Sequence, residues 1–320
     1  MTTARKEILL KGGAEYHCIS RCVRRAYLCG FDVLSGKNFD HRKDWVRERL
    51  IFLTKIFSIE VLAYALMSNH QHSLLRTRLD LLGELSDEEV ARRWLTLYPP
   101  PVETGVLLEK EYVKTLSQNK ERISILRDRL GSVSWFMKSL NEYIARKANK
   151  EDDCKGRFWE GRFKCQRLDD IGAVLACSIY IDLNPVRAKA AKTPEESEFT
   201  SAYERIKALR KSEREDLWLA PVRHTKNRKG FLPISLQEYL ALLDSTGREL
   251  IHGKRGAIPA NLEPILERIG INSRYWLITA RHYGRWFSHV AGGQEVLLKA
   301  ARKLGKNWLK GVRAARLAFS

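Results

Sequence analysis

Val61-Leu62-Ala63-Tyr64-Ala65-Leu66-Met67-Ser68-Asn69-His70-Gln71-His72-Ser73-Leu74-Leu75 is the stretch whose reading decides the fold. Apolar and β-favouring residues run up to Leu66. Met67, Ser68 and Asn69 read as a short turn, and His70 to Arg76 as a second strand, so the stretch is predicted to be a hairpin. Side chains alternate faces along a strand, which puts His70 and His72 on one side. Two imidazoles on one face of a rigid strand suit a single divalent metal, because neutral imidazole is the commonest protein metal ligand. Two surface histidines on an edge strand would give the same pattern, and the pair alone does not decide between these readings.

Upstream, residues 40–57 read as a helix with an apolar stripe of Trp45, Leu50, Ile51, Thr54 and Phe57. Before it, residues 15–23 are rich in strand formers, with His17 and Arg21 on one face. These two either supply core packing and a surface charge or approach a nucleic acid, and the residues favour neither. Strand, helix, strand, strand is the opening of a ferredoxin-like α+β fold, an antiparallel sheet with packed helices.

Downstream, residues 79–131 contain Pro99-Pro100-Pro101, the acidic group Asp87-Glu88-Glu89 and helical segments around 90–98 and 109–130. They read as a helical insertion peripheral to the core. Ser132 or Ser134 opens a further helix carrying Trp135, Phe136, Leu140, Tyr143 and Ile144. The segment Lys155-Gly156-Arg157-Phe158-Trp159-Glu160-Gly161-Arg162-Phe163-Lys164 interleaves basic and aromatic residues. Lys155, Arg157, Arg162 and Lys164 suit phosphates, and the rings suit stacking on unpaired bases. The other reading is a basic loop into a strand at 163–168, with Phe158 and Trp159 packed inside.

Asp169 and Asp170 are candidate N-caps for a helix from Ile171 to about Leu183, beyond which Pro185 disfavours helix. Ile171, Val174, Leu175, Ile179 and Leu183 form its expected buried stripe. Another face carries Ala173, Ala176, Cys177, Tyr180 and Asn184. Tyr180 and Asn184 are four apart and therefore neighbours. A tyrosine among small residues has open space at its hydroxyl, which a nucleophile needs against a bulky phosphodiester.

Charge narrows the function further. The chain of 320 residues carries 57 Lys and Arg against 38 Asp and Glu, a net +19. A polyanion is the expected partner, nucleic acid first and a membrane surface second. The six cysteines form no Cys-x-x-Cys, and the spacing of Cys18 and Cys22 suits no zinc knuckle, so reduced thiols are expected. The N-terminus lacks an apolar signal core and no apolar run reaches membrane length, so a cytoplasmic, nucleoid-associated protein is expected. Thr193-Pro194-Glu195-Glu196 reads as a boundary between a domain at 1–195 and a basic, mostly helical accessory domain at 196–320. The latter ends in a helix predicted over 294–318, and Ser273-Arg274-Tyr275-Trp276 and Arg281-His282-Tyr283-Gly284-Arg285-Trp286 add aromatics.

These features together resemble a known family. A tyrosine-histidine-bearing first strand precedes Ala65-Leu66-Met67-Ser68-Asn69-His70-Gln71-His72. Then follow Gly161-Arg162-Phe163 and Ile179-Tyr180-Ile181-Asp182-Leu183-Asn184-Pro185-Val186-Arg187-Ala188. Over about residues 13 to 190, apart from the insertion, the chain resembles the REP-associated tyrosine transposases, relatives of the single-tyrosine HUH transposases. The resemblance implies a ferredoxin-like core with the histidine pair on its sheet and the tyrosine on a packed helix. It implies His70 and His72 as ligands of Mg²⁺ or Mn²⁺, Asn184 as an available third ligand, and Tyr180 as the nucleophile. It implies DNA cut and rejoined through a 5′-phosphotyrosine, with single-stranded or hairpin DNA as partner, repetitive palindromic elements included. His17, Arg21, Lys155, Arg157, Arg162, Lys164 and Arg187 are the candidate DNA contacts. Gln71 departs from the hydrophobic residue usual between the histidines, and it faces away from them. A metal-dependent nuclease using water and a noncatalytic DNA-binding descendant stay open, as do monomer and homodimer.

Overall fold

The computed structural model describes residues 13–23, 28–33, 36–100, 106–210, 218–225, 228–250, 286, 290–291 and 293–318. Strand β1 (Glu15–Arg21) is followed by the two-residue strands β2 (Phe31–Asp32) and β3 (Lys37–Asn38). Helix α1 (Arg42–Ile56) then leads to β4 (Ile59–Leu66) and β5 (His70–Thr77). Helices α2 (Leu79–Glu84), α3 (Asp87–Leu97), α4 (Val106–Gln118) and α5 (Lys120–Leu130) make up the insertion. Next come α6 (Val133–Glu151), β6 (Lys164–Leu168), α7 (Ile171–Asp182) and the single turn α8 (Asn184–Arg187). The remaining described elements are α9 (Ser201–Arg210), α10 (Leu236–Leu250), β7 (Val290–Ala291), α11 (Gln294–Lys303) and α12 (Val312–Ala318).

The main sheet runs β4-β5-β1-β6, antiparallel throughout, with β7 added parallel to the outer edge of β6. Counted along the core, this is second, third, first, fourth strand. With α1 and α6 as crossovers it is the ferredoxin-like arrangement expected from the sequence. The hairpin also forms as read: Met67 N–H donates to the His70 carbonyl across a turn at Ser68 and Asn69.

Alternation along each strand divides the core in two. Tyr16, Cys18, Tyr64, Leu66, Leu75 and Cys165 face α1 and α6, meeting Val46, Leu50 and Leu53 of the first and Phe136, Leu140 and Ile144 of the second. Ala63, Ala65, Leu74 and Leu168 lie under α7 on the other side. On α1 the stripe differs from the predicted one: Arg42, Val46, Leu50, Leu53 and Ile56 are buried, while Trp45, Ile51 and Thr54 are half-covered. Trp45 lies along the rim beneath the Lys147 ammonium, 4.2 Å from the ring centroid, so hydrophobicity alone misassigned the face. The insertion turns Leu82, Val90, Ala91, Ile123, Leu126 and Leu130 into the α1/α6 core.

Helix α7 is buried all round except at Ile171 and Tyr180. The small-residue face expected to be open is packed, and Ile171, placed in the predicted stripe, is 39% exposed. The covering comes from beyond residue 196. Ala202 of α9 and Tyr239, Leu242 and Leu243 of α10 share the core of α7. Phe199–Thr200 and Leu219–Ala220 flank the free edge of β4, the Leu66 N–H donating to the Phe199 carbonyl and the Ala220 N–H to the Val61 carbonyl. The helix predicted over 294–318 is two helices. Gly305 (φ 62°) and Gly311 (φ 109°) adopt left-handed conformations that break it and leave Trp308 67% exposed between them. The aromatic segments at 273–276 and 281–285 lie outside the described residues. Among the described residues no helix is long and apolar enough to cross a membrane.

Candidate active site

The site grows from three strand positions and one helix end. In the β1–β5 register Arg21 lies opposite His70, Ile19 opposite His72 and His17 opposite Leu74. Paired residues share a face, so His17, Arg21, His70 and His72 all point toward α7. On the far side of β1, Lys164 and Gln166 of β6 lie opposite Ile19 and His17 and join that face. Helix α7 is started by Asp170, whose carboxylate accepts from the Ala173 N–H at 2.7 Å. Asp169, the other candidate cap, pairs with Arg167 instead.

Three imidazoles and a phenol converge here. His17 Nε2 and His72 Nδ1 are 2.9 Å apart, and the rings stack at 5.1 Å. The His70 ring lies 4.9 Å from that of His72. Tyr180 stands edge-on to both His72 and His17, at 5.7 and 6.0 Å between centroids. The Arg187 guanidinium lies over the Tyr180 ring, 4.8 Å from its centroid and within cation–π range. Asn184 caps α7: its Nδ2 donates to the Tyr180 carbonyl at 2.8 Å. That leaves Oδ1 as the end of the amide able to ligate a cation.

Burial sets the electrostatics. Desolvation pulls His17 down to about 4, opposed by a side-chain hydrogen bond with Gln166. His72 is held well below the ordinary imidazole value by burial and then by His17, His70 and Arg187. His70 is lowered by burial and by Arg21. All three rings are therefore neutral at pH 7, the form that ligates. Burial raises the Tyr180 phenol, with Arg187 pulling in the other direction. The phenol keeps its proton until a base or cation acts on it.

Among the described residues no group of three or more His, Cys, Asp or Glu is arranged to hold a metal. Cys18 and Cys22 are buried thiols that form no disulfide. The donor chemistry of two imidazoles on one strand face nevertheless suits a divalent ion, and His72 Nε2 is buried without any hydrogen-bond partner among the described residues. An unpaired polar atom in a dry site calls for an explanation, and a bound cation supplies one. Imidazole donors suit Mn²⁺ better than the harder Mg²⁺.

The remaining sequence candidates flank this centre. Lys155, Arg157, Arg162 and Lys164 are exposed. Their loop is tied to the end of β1: the Val23 N–H donates to the Phe158 carbonyl and the Glu160 N–H to the Arg21 carbonyl. Arg21 lies 3.8 Å from Glu160, both half-exposed. Phe158, Trp159 and Phe163 are buried in the α1/α6 core, and the Trp159 Nε1–H donates to the Asn141 carbonyl. Of the two readings of this segment, the structure bears out the basic loop with Phe158 and Trp159 packed inside, where their apolar area is used. Gln71 does face away. It is fully buried and its amide donates to Asn141 Oδ1 at 3.1 Å, while Asn141 donates to Ser20 Oγ. What the sequence reading missed is the contact of His17 with His72, the part of Gln166, and the seat of Arg187 on Tyr180 itself.

No family model and no curated protein matches the chain. One solved structure is similar, described as a REP-associated tyrosine transposase bound to a REP hairpin. It shares 11% identity at a TM-score of 0.35, over 72% of this chain and 98% of that one. A likeness that loose decides neither family nor chemistry.

Proposed function

We propose that this protein is a DNA strand transferase of the single-tyrosine kind, cutting single-stranded or hairpin DNA. Tyr180 is the nucleophile, and a divalent ion is held by His70 and His72 with Asn184 Oδ1. The observation that carries the reading is the convergence of Tyr180 with the imidazole pair around a bare, buried His72 Nε2.

A divalent ion held by His70, His72 and Asn184 Oδ1 would supply Lewis-acid polarisation of the scissile phosphate and offset its charge. The Tyr180 oxygen attacks phosphorus and gives its proton to solvent, and solvent returns a proton to the departing O3′. The P–O3′ bond breaks and leaves a 5′-phosphotyrosine with a free 3′-OH. Reversal by a 3′-OH rejoins strands without an external energy source. Arg187 holds the ring in place and favours its anionic form. Lys164 and Arg21 on the same sheet face, with the exposed cations of the 155–164 loop, suit the flanking phosphates.

The test is intact-protein mass spectrometry after incubation with a hairpin DNA and Mn²⁺, for wild type and Tyr180→Phe. Wild type gains the mass of a DNA fragment and the variant does not. Cleavage by Tyr180→Phe at the wild-type rate would assign attack to water. DNA binding without cleavage by wild type would assign a noncatalytic role.

A further inference from the structure

Beyond the residues that would touch metal or DNA, we infer that His17, backed by Gln166, is a positioning residue that fixes the tautomer of His72 and thereby aims a bare Nε2 at the ion. The inference rests on the reading of His70 and His72 as metal ligands.

His17 Nε2 and His72 Nδ1 are 2.9 Å apart, so one carries a hydrogen and the other a lone pair. If His17 Nε2 donates, neutral His72 carries its own proton on Nε2. That N–H is then sealed in a buried site with no acceptor among the described residues and cannot ligate. If His72 Nδ1 donates, Nε2 is bare, and neutral His17 carries its proton on Nδ1. That proton needs an acceptor. Gln166 lies directly opposite His17 on β6 and makes a side-chain hydrogen bond with it, and its Oε1 can accept. Only the second assignment gives every proton a partner. On that assignment the line runs from His72 Nδ1–H to His17 Nε2 and from the His17 Nδ1–H toward Gln166, across the three adjacent strands β5, β1 and β6.

His70 reaches the same state by a shorter route. Its Nδ1 lies 2.7 Å from Asn69 Oδ1 in the hairpin turn, so its Nε2 is bare as well. Both members of the pair thus offer the same nitrogen. Metal-bound histidines are commonly oriented by such partners on the second nitrogen, and removing one costs about 10- to 100-fold in metal affinity.

The experiment reads the tautomer directly. Long-range ¹H–¹⁵N spectra of metal-free, full-length wild type should show His72 protonated on Nδ1 and bare on Nε2. Protonation on Nε2 would overturn the inference whatever any variant does. Calorimetry with Mn²⁺ alone then compares His17→Leu, His17→Gln and His72→Ala. His17→Leu removes the acceptor and should weaken Mn²⁺ binding by about 10-fold or more, with His72 populating the Nε2–H form. His17→Gln supplies an amide oxygen in the same place and should restore both the tautomer and most of the affinity, which a purely structural role for His17 would not predict. Wild-type Mn²⁺ affinity in folded His17→Leu would overturn the inference while leaving the metal site intact, provided His72→Ala abolishes binding. Unchanged binding in His72→Ala would instead remove the metal site itself.

Discussion

Two buried polar clusters lie against the same helix, and they differ in whether their valences are filled. On the sheet side of α7, His72 keeps an unpaired Nε2 and Tyr180 stands with its ring between imidazoles and Arg187. On the other side Asp182 is completely buried and its carboxylate is used up. It accepts from Ser201 Oγ at 2.5 Å, the Ala202 N–H at 3.0 Å and the Tyr239 hydroxyl at 2.6 Å. Burial raises the Asp182 pKa, and Arg205 opposes the shift. Only Ile181 lies between Tyr180 and Asp182. A closed network of this kind holds parts together, because each group satisfies another. An open one keeps capacity for a ligand, and perturbed groups with spare capacity are what a site needs.

The contrast can be broken from either side, and the largest effect belongs to the open cluster. Tyr180→Phe should lower covalent DNA adduct formation by about 10⁴-fold or more, while chemical denaturation shows stability changed by under about 1 kcal/mol. A large loss of stability would move Tyr180 into the structural class. Asp182→Ala should do the reverse. It strands three donors in a dry core and should cost about 3 kcal/mol or more, read as a lowered urea midpoint, while the folded fraction still forms the adduct. Deleting residues 200–320 should be worse still for folding, since it bares α7, and the yield of soluble protein would report it.

A third effect comes from the imidazoles in metal-free protein. His17 titrates near 4 when folded and near 6.5 when unfolded. Between those values the unfolded chain binds more protons, so stability is complete above about 6.5 and falls as the pH drops toward 4. For His17 alone the full loss is about 3 kcal/mol, and His72, which faces it together with Gln166 and Tyr180, adds in the same direction. Urea titrations from pH 7.5 to 4.5 would check this, with His17→Gln flattening the profile. The smallest effect is Tyr239→Phe. It removes one donor to Asp182 and leaves two, which should cost about 1 kcal/mol in the same assay.

Much of this was readable in the chain. The hairpin, the helix stopped near Pro185, the cap at Asp170 and the shared face of His70 and His72 all depend on local periodicity and local hydrogen bonds. What escaped depends on pairing between distant strands. His17 meets His72 only through the β1–β5 register, and nothing within β1 states that register. Gln166 is silent for the same reason. The rings of the 155–164 loop carry equal apolar area whether they stack on bases or pack in the α1/α6 core, so composition could not choose. Gly305 and Gly311 were visible, yet an apolar pattern that ran on past both of them outweighed two backbone signals.

One hydrogen bond to the cap of α7 joins residues 123 apart: the Gly293 N–H donates to Asp170, beside the short β7 that covers the edge of β6. On a ribosome adding about 5–20 residues per second, that stretch takes on the order of ten seconds to make. For that interval the cap of α7 lacks its second partner and β6 presents an open edge. Chain order therefore acts as a clock: the helix that carries Tyr180 receives this second bond at its cap only after residue 293 has been made.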